Sequence, residues 1–450
     1  MGDAFIYIGS FILALGILIA VHEYGHFWVA RKLGVKVLRF SIGFGKPLLS
    51  RKSRDGETEY VLAAIPLGGY VKMLDEREGE VAEEELDRAF NNKPVLSRIA
   101  VVLAGPIANF IFAIFALSIM YFSGIPGYKP ILGDIKVDSI AGQAGFRNGD
   151  LVLQVQRKDV ASWQETRMAL LDVALDQKWI EVKVQDAQGN QAIRTLNLNG
   201  SGNPVDNQDF MGEIGLDLWR PPAVLGEVTP GGPADQAGLK AGDRVISVNG
   251  EPMNYWLDWV NIVREHHDQL LQVEIDRQGE LLLFNLTPGS KQKDEKKIGF
   301  VDVRMPQSYW EKMSVEIRYG PIEALGAGIG KTWDMSVLML RVMGKIVTGD
   351  ASLRNISGPV TIAQYAGDSA SRGLMSFLSF LALISISLGV LNLLPIPILD
   401  GGHLMYYLVE LVKGSPVSEQ TQSVGQQIGI MILLALMILA FYNDFMRLLN

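Results

Sequence analysis

Hydrophobic and polar positions alternate along the chain on a long scale: four strongly apolar windows, residues 5–30, 99–122, 374–399 and 428–442, are separated by mostly polar stretches. A helix needs about 20 apolar residues to cross the hydrocarbon core of a bilayer, so the windows predict four spans, the last being the shortest. Asp3 stands where a secretory signal would carry positive charge, and no small-x-small cleavage site follows, so the first window reads as an uncleaved span. The loop after it begins with Arg31, Lys32, Lys36 and Arg39 and ends with Lys93 and Arg98. Positive charge in short loops marks the cytoplasmic side, which places both termini outside. Within that loop, VLRFSIGFG (37–45) and TEYVLAAIPLGGYVKM (58–73) have strand-like patterns, and the acidic run at 75–88 reads as a solvated helix face.

The long polar stretch between the second and third windows contains an internal repeat. ILGDI (131–135) returns as VLGEV (224–228), and AGQAGFRNGDLVLQV (141–155) as ADQAGLKAGDRVISV (234–248), each at an offset of 93 residues. Ala-Gly, an apolar residue, two variable positions and Gly-Asp, followed by alternating apolar residues, predict a short helix, a tight turn and a strand. Both copies resemble the PDZ domains of bacterial membrane and periplasmic proteases, which bind extended peptides or chain ends by adding a strand to a sheet edge. The resemblance sets a first module at 128–220 and a second at 221–308. The first departs from the pattern after Val155, where QRKDV replaces the Val-Asn-Gly turn. Beyond the repeats, residues 331–347 are amphipathic, with Trp333, Val337, Leu340 and Met343 or Gly344 near one face. Such a helix either packs on a neighbour or lies in the membrane interface.

Composition agrees with this mixed picture. The 450 residues are 48% hydrophobic and 20% charged, with mean hydropathy +0.18. A net charge of −8 without a basic stripe argues against a nucleic-acid partner. The chain has no cysteine, which excludes disulfides and thiolate ligands, so a bound metal must rely on His, Asp or Glu.

The chemistry concentrates in VHEYGH (21–26). On a helix, His22 and His26 share one face and Glu23 sits beside them. Two neutral imidazoles can hold a zinc ion while leaving room for a third ligand and a water, and the adjacent glutamate can take a proton from that water. Gly25 would let another backbone approach this helix closely. An ionisable group within a span costs about 2.5–3.5 kcal/mol or more, so three in five residues imply either a function or a solvated helix end. His22 lies about 25 Å along the helix from Phe5, near the inner boundary. His266 and His267 fall in the outer region. Asp400 and His403 follow the third window, which runs in the same direction as the first, so either can reach the depth of His22 and His26 as third ligand.

VHEYGH together with NLLPIPILDGGH (392–403) resembles the site-2 protease family of intramembrane zinc metalloproteases, and the order of elements resembles its sigma-E-regulating branch with tandem PDZ modules. RFSIGFG (39–45), PLGGYVKM (66–73), LAGPIANF (103–110) and NISGPVTIA (355–363) support the likeness, which covers essentially the whole chain. The resemblance implies that His22, His26 and Asp400 are zinc ligands, that Glu23 is the catalytic base, and that Asn392 and Pro397 hold the substrate strand. It also implies single-span substrates, such as an anti-sigma factor shortened by a first protease or a remnant signal peptide. The setting is then a multi-pass protein of the bacterial inner membrane, with periplasmic PDZ modules and the site near the cytoplasmic face.

The expected fold class is therefore a polytopic α-helical membrane protein with two inserted α+β PDZ domains and cytoplasmic-side β-hairpins. Its segments run 1–31 (first span), 32–97 (hairpin loop), 98–123 (second span), the two modules, 309–372 (interfacial helices), 373–400 (third span), 401–425 (loop) and 426–446 (fourth span). A helical substrate hides its peptide bonds and must unwind before cleavage. Gly43, Phe44 and Gly45 are candidates for an edge that pairs with the unwound strand; the alternative is a purely structural hairpin. Two other classes compete with a protease. A peptide-binding scaffold would have a closed, four-ligand metal site, and a metal transporter would carry ionisable groups through several spans, which spans two and four lack.

Overall fold

The computed structural model describes residues 2–199, 201–202, 204, 207, 209–293, 296–353 and 357–449, so Asn355 and Ile356 of the NISGPVTIA segment lie outside the described residues. The chain divides into two units, one formed by residues 1–125 with 318–450 and the other by Pro126–Ile317.

The first unit contains helices α1 (Gly2–Lys32), α2 (Val95–Ser123), α3 (Pro321–Thr348), α4 (Pro359–Ser371), α5 (Leu374–Asn392), α6 (Asp400–Lys413) and α7 (Glu419–Leu449), with strands β1 (Val37–Lys52) and β2 (Glu59–Met73) after α1. Among the described residues, four stretches, within α1, α2, α5 and α7, are long and apolar enough to cross a membrane. Leu18 and Ala14 of α1 pack with Ala366 of α4 and with Phe377, Phe380 and Leu381 of α5. Where α1 meets α2, a Cβ on Gly25 would fall 2.2 Å from the carbonyl oxygen of Ala104, so only glycine fits that approach.

The third span ends at Asn392, short of the expected 400. Pro395 and Pro397 lack the N–H that would continue the helix, and residues 393–399 run irregularly until Asp400 opens α6. Helix α6 thus occupies part of the expected loop at 401–425, and α7 extends beyond the expected fourth span at both ends. On α3 the buried residues are Ala324, Gly328 and Thr332, with Gly328 close to Ile114 and Ser118 of α2. Trp333 is 70% exposed and Leu340 half exposed, so the apolar stripe read from the sequence is not the packed face.

Helix α4 begins on a cap supplied from another helix. Asp444 of α7 is buried, and its carboxylate accepts from the backbone N–H groups of Gly358 (2.9 Å), Val360 (2.8 Å) and Thr361 (3.2 Å) and from the Thr361 hydroxyl (2.5 Å). Unpaired N–H groups at a helix start and the positive end of its dipole both favour a carboxylate there.

The two long strands fold back on themselves. Residues 37–42 of β1 pair on one side with 69–73 of β2 and on the other with 59–62, and the far half of β1 (47–52) pairs with 59–63. The resulting four-segment sheet has residues 69–73 along one edge, and their outer side carries no strand among the described residues. Leu48, Leu49, Leu62 and Ile65 are exposed on this sheet.

The second unit holds the repeat as two copies of one β-rich module. The first has strand order Lys158–Asp159, Leu151–Val155, Trp179–Gln185, Gln191–Asn197; the second has Glu251–Pro252, Arg244–Val248, Leu271–Arg277, Glu280–Leu286, all antiparallel. Helices Trp163–Ala174 and Trp256–Glu265 occupy equivalent places, and each module has its own apolar core. Gln156 takes the same left-handed conformation (φ 54°) as Asn249 (φ 51°), so the first copy makes the equivalent turn without Asn-Gly. A later segment closes each module: Leu218 bridges to Leu132, and Val303–Arg304 pairs with Glu227–Val228. These closing strands follow Ile214-Gly215 and Ile298-Gly299, a second repeated signal that the 93-residue offset does not reveal. Tyr255 of the second module donates a hydrogen bond to Asp134 of the first (2.7 Å), and Arg220 stacks 4.0 Å above the Tyr255 ring.

Candidate metal centre

Helix α1 carries His22 and His26 on one face, and the first residue of α6, Asp400, meets them. His22 Nε2 lies 3.2 Å from His26 Nε2 and 3.2 Å from Asp400 Oδ2, and His26 Nε2 lies 3.4 Å from the same oxygen. Donors around a tetrahedral zinc, at roughly 2.0–2.1 Å from the ion, stand about 3.3–3.4 Å apart, so this near-equilateral triangle has the size of one face of such a site. Asp400 Oδ2 is buried yet finds no partner in hydrogen-bonding geometry. An orphaned carboxylate oxygen between two imidazole nitrogens fits a divalent cation. Burial pushes the Asp400 carboxyl up, and the two adjacent imidazoles outweigh that and hold it below the usual carboxylate range, as a ligand requires. His403, one turn along α6, stays outside the triangle, and burial pushes its imidazole down from its ordinary value.

Helix α2 shapes the other side of the site. Its Val101 carbonyl lies 2.8 Å from His26 Nδ1, and its Asn109 side chain lies 3.1 Å from His22 Nδ1. A Cβ on Gly105, between them, would fall 2.3 Å from His26 Nε2 and 2.7 Å from His22 Cε1. Glycine there leaves the space that the two rings occupy, which gives LAGPIANF a physical meaning. Arg98 at the start of α2 grips Glu410 of α6 through two hydrogen bonds (3.1 and 2.6 Å) and lies 4.8 Å above the Tyr407 ring. The pair is mostly buried and fixes the helix that presents Asp400.

A cavity of about 1060 Å³ opens on the triangle. Glu23 lines it beside His22 and His26, and so does Asn392, whose side-chain nitrogen is 3.5 Å from His22 Nε2. Pro397 does not line it; its carbonyl would meet a Cβ on Gly429 of α7 at 3.0 Å. Of the three hairpin candidates, Phe44 lines the cavity, stacked on Tyr70 at 6.1 Å, whereas Gly43 and Gly45 do not. The backbone edge that runs along the cavity is Gly68–Met73 of β2. Sequence reasoning centred on SIGFG missed this edge, because strands 37–42 are paired on both sides and only the coordinates reveal which segment is outermost. Leu18, Ile19 and Leu388 form an apolar wall, and Lys72, Asp75, Arg77 and Glu78 make the cavity charged elsewhere.

Comparison with known proteins adds an independent line. The model of peptidase family M50 matches residues 10–436. The "Regulator of sigma E protease" of Salmonella typhi is 45% identical over 448 residues, covering 98% of each chain. The "Regulator of sigma-E protease RseP" of Escherichia coli K12 is 44% identical over 448 residues, again 98% of each. A "Putative zinc metalloprotease" of Vibrio cholerae is 40% identical over 444 residues, with 98% of each chain covered.

Proposed function

We propose, from the premise that this chain belongs to peptidase family M50, that His22, His26 and Asp400 hold a zinc ion beside a peptide bond unwound from a membrane-spanning substrate, with Glu23 as the base. The chain is an intramembrane zinc metalloprotease of the site-2 type in the bacterial inner membrane. The observation that carries the assignment of residues is the triangle of donors, 3.2 to 3.4 Å on a side, open to a cavity that Glu23 lines.

When bound, the ion supplies Lewis acidity, lowering the pKa of a water and polarising the scissile carbonyl. Glu23 accepts the proton of the attacking water and returns it to the leaving amine. The Gly68–Met73 edge offers backbone donors and acceptors to a substrate strand, replacing the hydrogen bonds lost when the helix unwinds. Asn392 reaches into the same space and orients that strand. A structural zinc site is closed by four protein ligands, whereas among the described residues three donors meet here, which favours an enzyme over a scaffold.

The two outer modules act as PDZ domains on the periplasmic side, a reading supported by their shared strand order and flanking helix. They bind peptide or chain-end ligands and screen what reaches the site, which lies near the cytoplasmic face. The names of the relatives point to an anti-sigma factor as substrate; its prior trimming by another protease, and remnant signal peptides as a second single-span class, are what the family resemblance implies. The test is metal analysis beside cleavage of a transmembrane substrate by the purified chain. His22→Ala loses both zinc and cleavage; an active, zinc-free His22→Ala protein overturns the assignment. Deleting residues 128–308 leaves cleavage intact and extends it to untrimmed substrates; loss of all cleavage counts against a filter.

A further inference from the structure

We infer that Asn109 is a positioning residue for the metal, its side-chain carbonyl accepting a hydrogen bond from His22 Nδ1–H so that Nε2 is left free as the ligand atom. The inference rests on the proposed zinc site. Asn109 sits in the middle of α2 with no solvent exposure, and its backbone carbonyl accepts from the Ser385 hydroxyl of α5 (2.8 Å), which fixes it between two helices. As the coordinates assign the amide, its nitrogen faces His22 Nδ1 at 3.1 Å and its oxygen Oδ1 is buried without a partner.

That assignment conflicts with the triangle. A neutral imidazole carries one N–H, and an amide nitrogen donating to Nδ1 forces the proton onto Nε2. Nε2 is the atom 3.2 Å from both Asp400 Oδ2 and His26 Nε2, where a lone pair is needed. The two ends of an Asn side chain are interchangeable by a half-turn, their identity being set by the network around them. Turning the amide brings Oδ1 to Nδ1–H, gives the orphaned oxygen a partner and frees Nε2.

The second histidine shows the same arrangement where no ambiguity exists. His26 Nδ1 lies 2.8 Å from the Val101 carbonyl, a group that can only accept. Both ligand rings then donate Nδ1–H to oxygens of the same helix, two turns apart on α2, and present Nε2 to the ion. Such outer partners fix the tautomer and raise ligand basicity. Asn392 Nδ2 is at 3.5 Å on the Nε2 side and does not bear on Nδ1.

The experiment measures zinc affinity of the full-length protein in detergent by competition with a chromophoric chelator, for the wild type and the Asn109→Ala, Asn109→Asp and His22→Ala variants. The expected result is a loss of about 10–100-fold in Asn109→Ala. Asn109→Asp, whose carboxylate accepts from Nδ1–H and cannot donate, recovers affinity above that of Asn109→Ala. Wild-type affinity in Asn109→Ala, or an Asp variant no better than the Ala variant, overturns the inference. If His22→Ala binds zinc as the wild type does, the zinc-site reading itself fails, a separate outcome. Should the Asp variant not fold, nitrogen-15 NMR of histidine-labelled, chelator-treated wild type decides: a His22 protonated at Nδ1 supports the role, and one protonated at Nε2 overturns it.

Discussion

The two units place polar groups in their interiors for different ends. In the unit Pro126–Ile317, Asp150 and Asp243 are nearly inaccessible, and each accepts from the backbone N–H three residues earlier, closing the tight turn that the Gly-Asp repeat predicts. Asp243 also binds Arg277 through two hydrogen bonds (2.7 and 2.9 Å), while Asp150 has Arg194 only at 3.9 Å. These groups hold loops in place around two apolar cores. In the membrane unit, His26, Asn109, Arg98 and Asp444 are buried in helices instead, and each joins one helix to another. Apolar contact between helices is weakly selective when the surroundings are equally apolar, so geometry there depends on polar links and small residues. A site that needs three donors within 3.4 Å is built where such links fix the helices.

That contrast predicts a hierarchy of damage. Asp400→Ala should remove zinc and cleavage together; a variant that keeps stoichiometric zinc would break the comparison at its centre. Gly105→Ala comes next, because its Cβ would overlap the His26 ring, and zinc affinity should fall about 10–100-fold by chelator competition. Asp444→Ala exposes the start of α4 without touching the site. It should lower local stability by about 2–3 kcal/mol, read as faster hydrogen exchange at Gly358, Val360 and Thr361, with zinc content unchanged. The smallest pair concerns the two repeated modules: Arg277→Ala should cost about 1–2 kcal/mol of thermal stability and Arg194→Ala less than about 0.5, with neither altering zinc binding.

Legibility in the sequence followed the physics of each feature. Helix period puts His22 and His26 on one face, and the matched direction of two spans leaves Asp400 and His403 as candidates for the third donor; the structure groups Asp400 with the two imidazoles. The repeat was visible as an offset of 93 residues, although its closing strands lie beyond the aligned stretch. Pro395 and Pro397 carried the signal for ending α5 at Asn392, but hydropathy continued through Leu399 and obscured it. The free edge at Gly68–Met73 and the Asp444 cap depend on contacts between residues far apart in the chain, for which no local pattern exists. Gly105 and Asn109 stand inside the LAGPIANF segment, and only the fold shows how close they come to the histidine rings.

In the proposed mechanism Glu23 performs the proton transfer at a metal site held by other residues. Its most direct test is Glu23→Gln in the purified full-length protein, with zinc content and cleavage of a transmembrane substrate measured on the same sample. Glu23→Gln should keep wild-type zinc content while cleavage falls by at least about 100-fold. Full cleavage activity in that variant would contradict it.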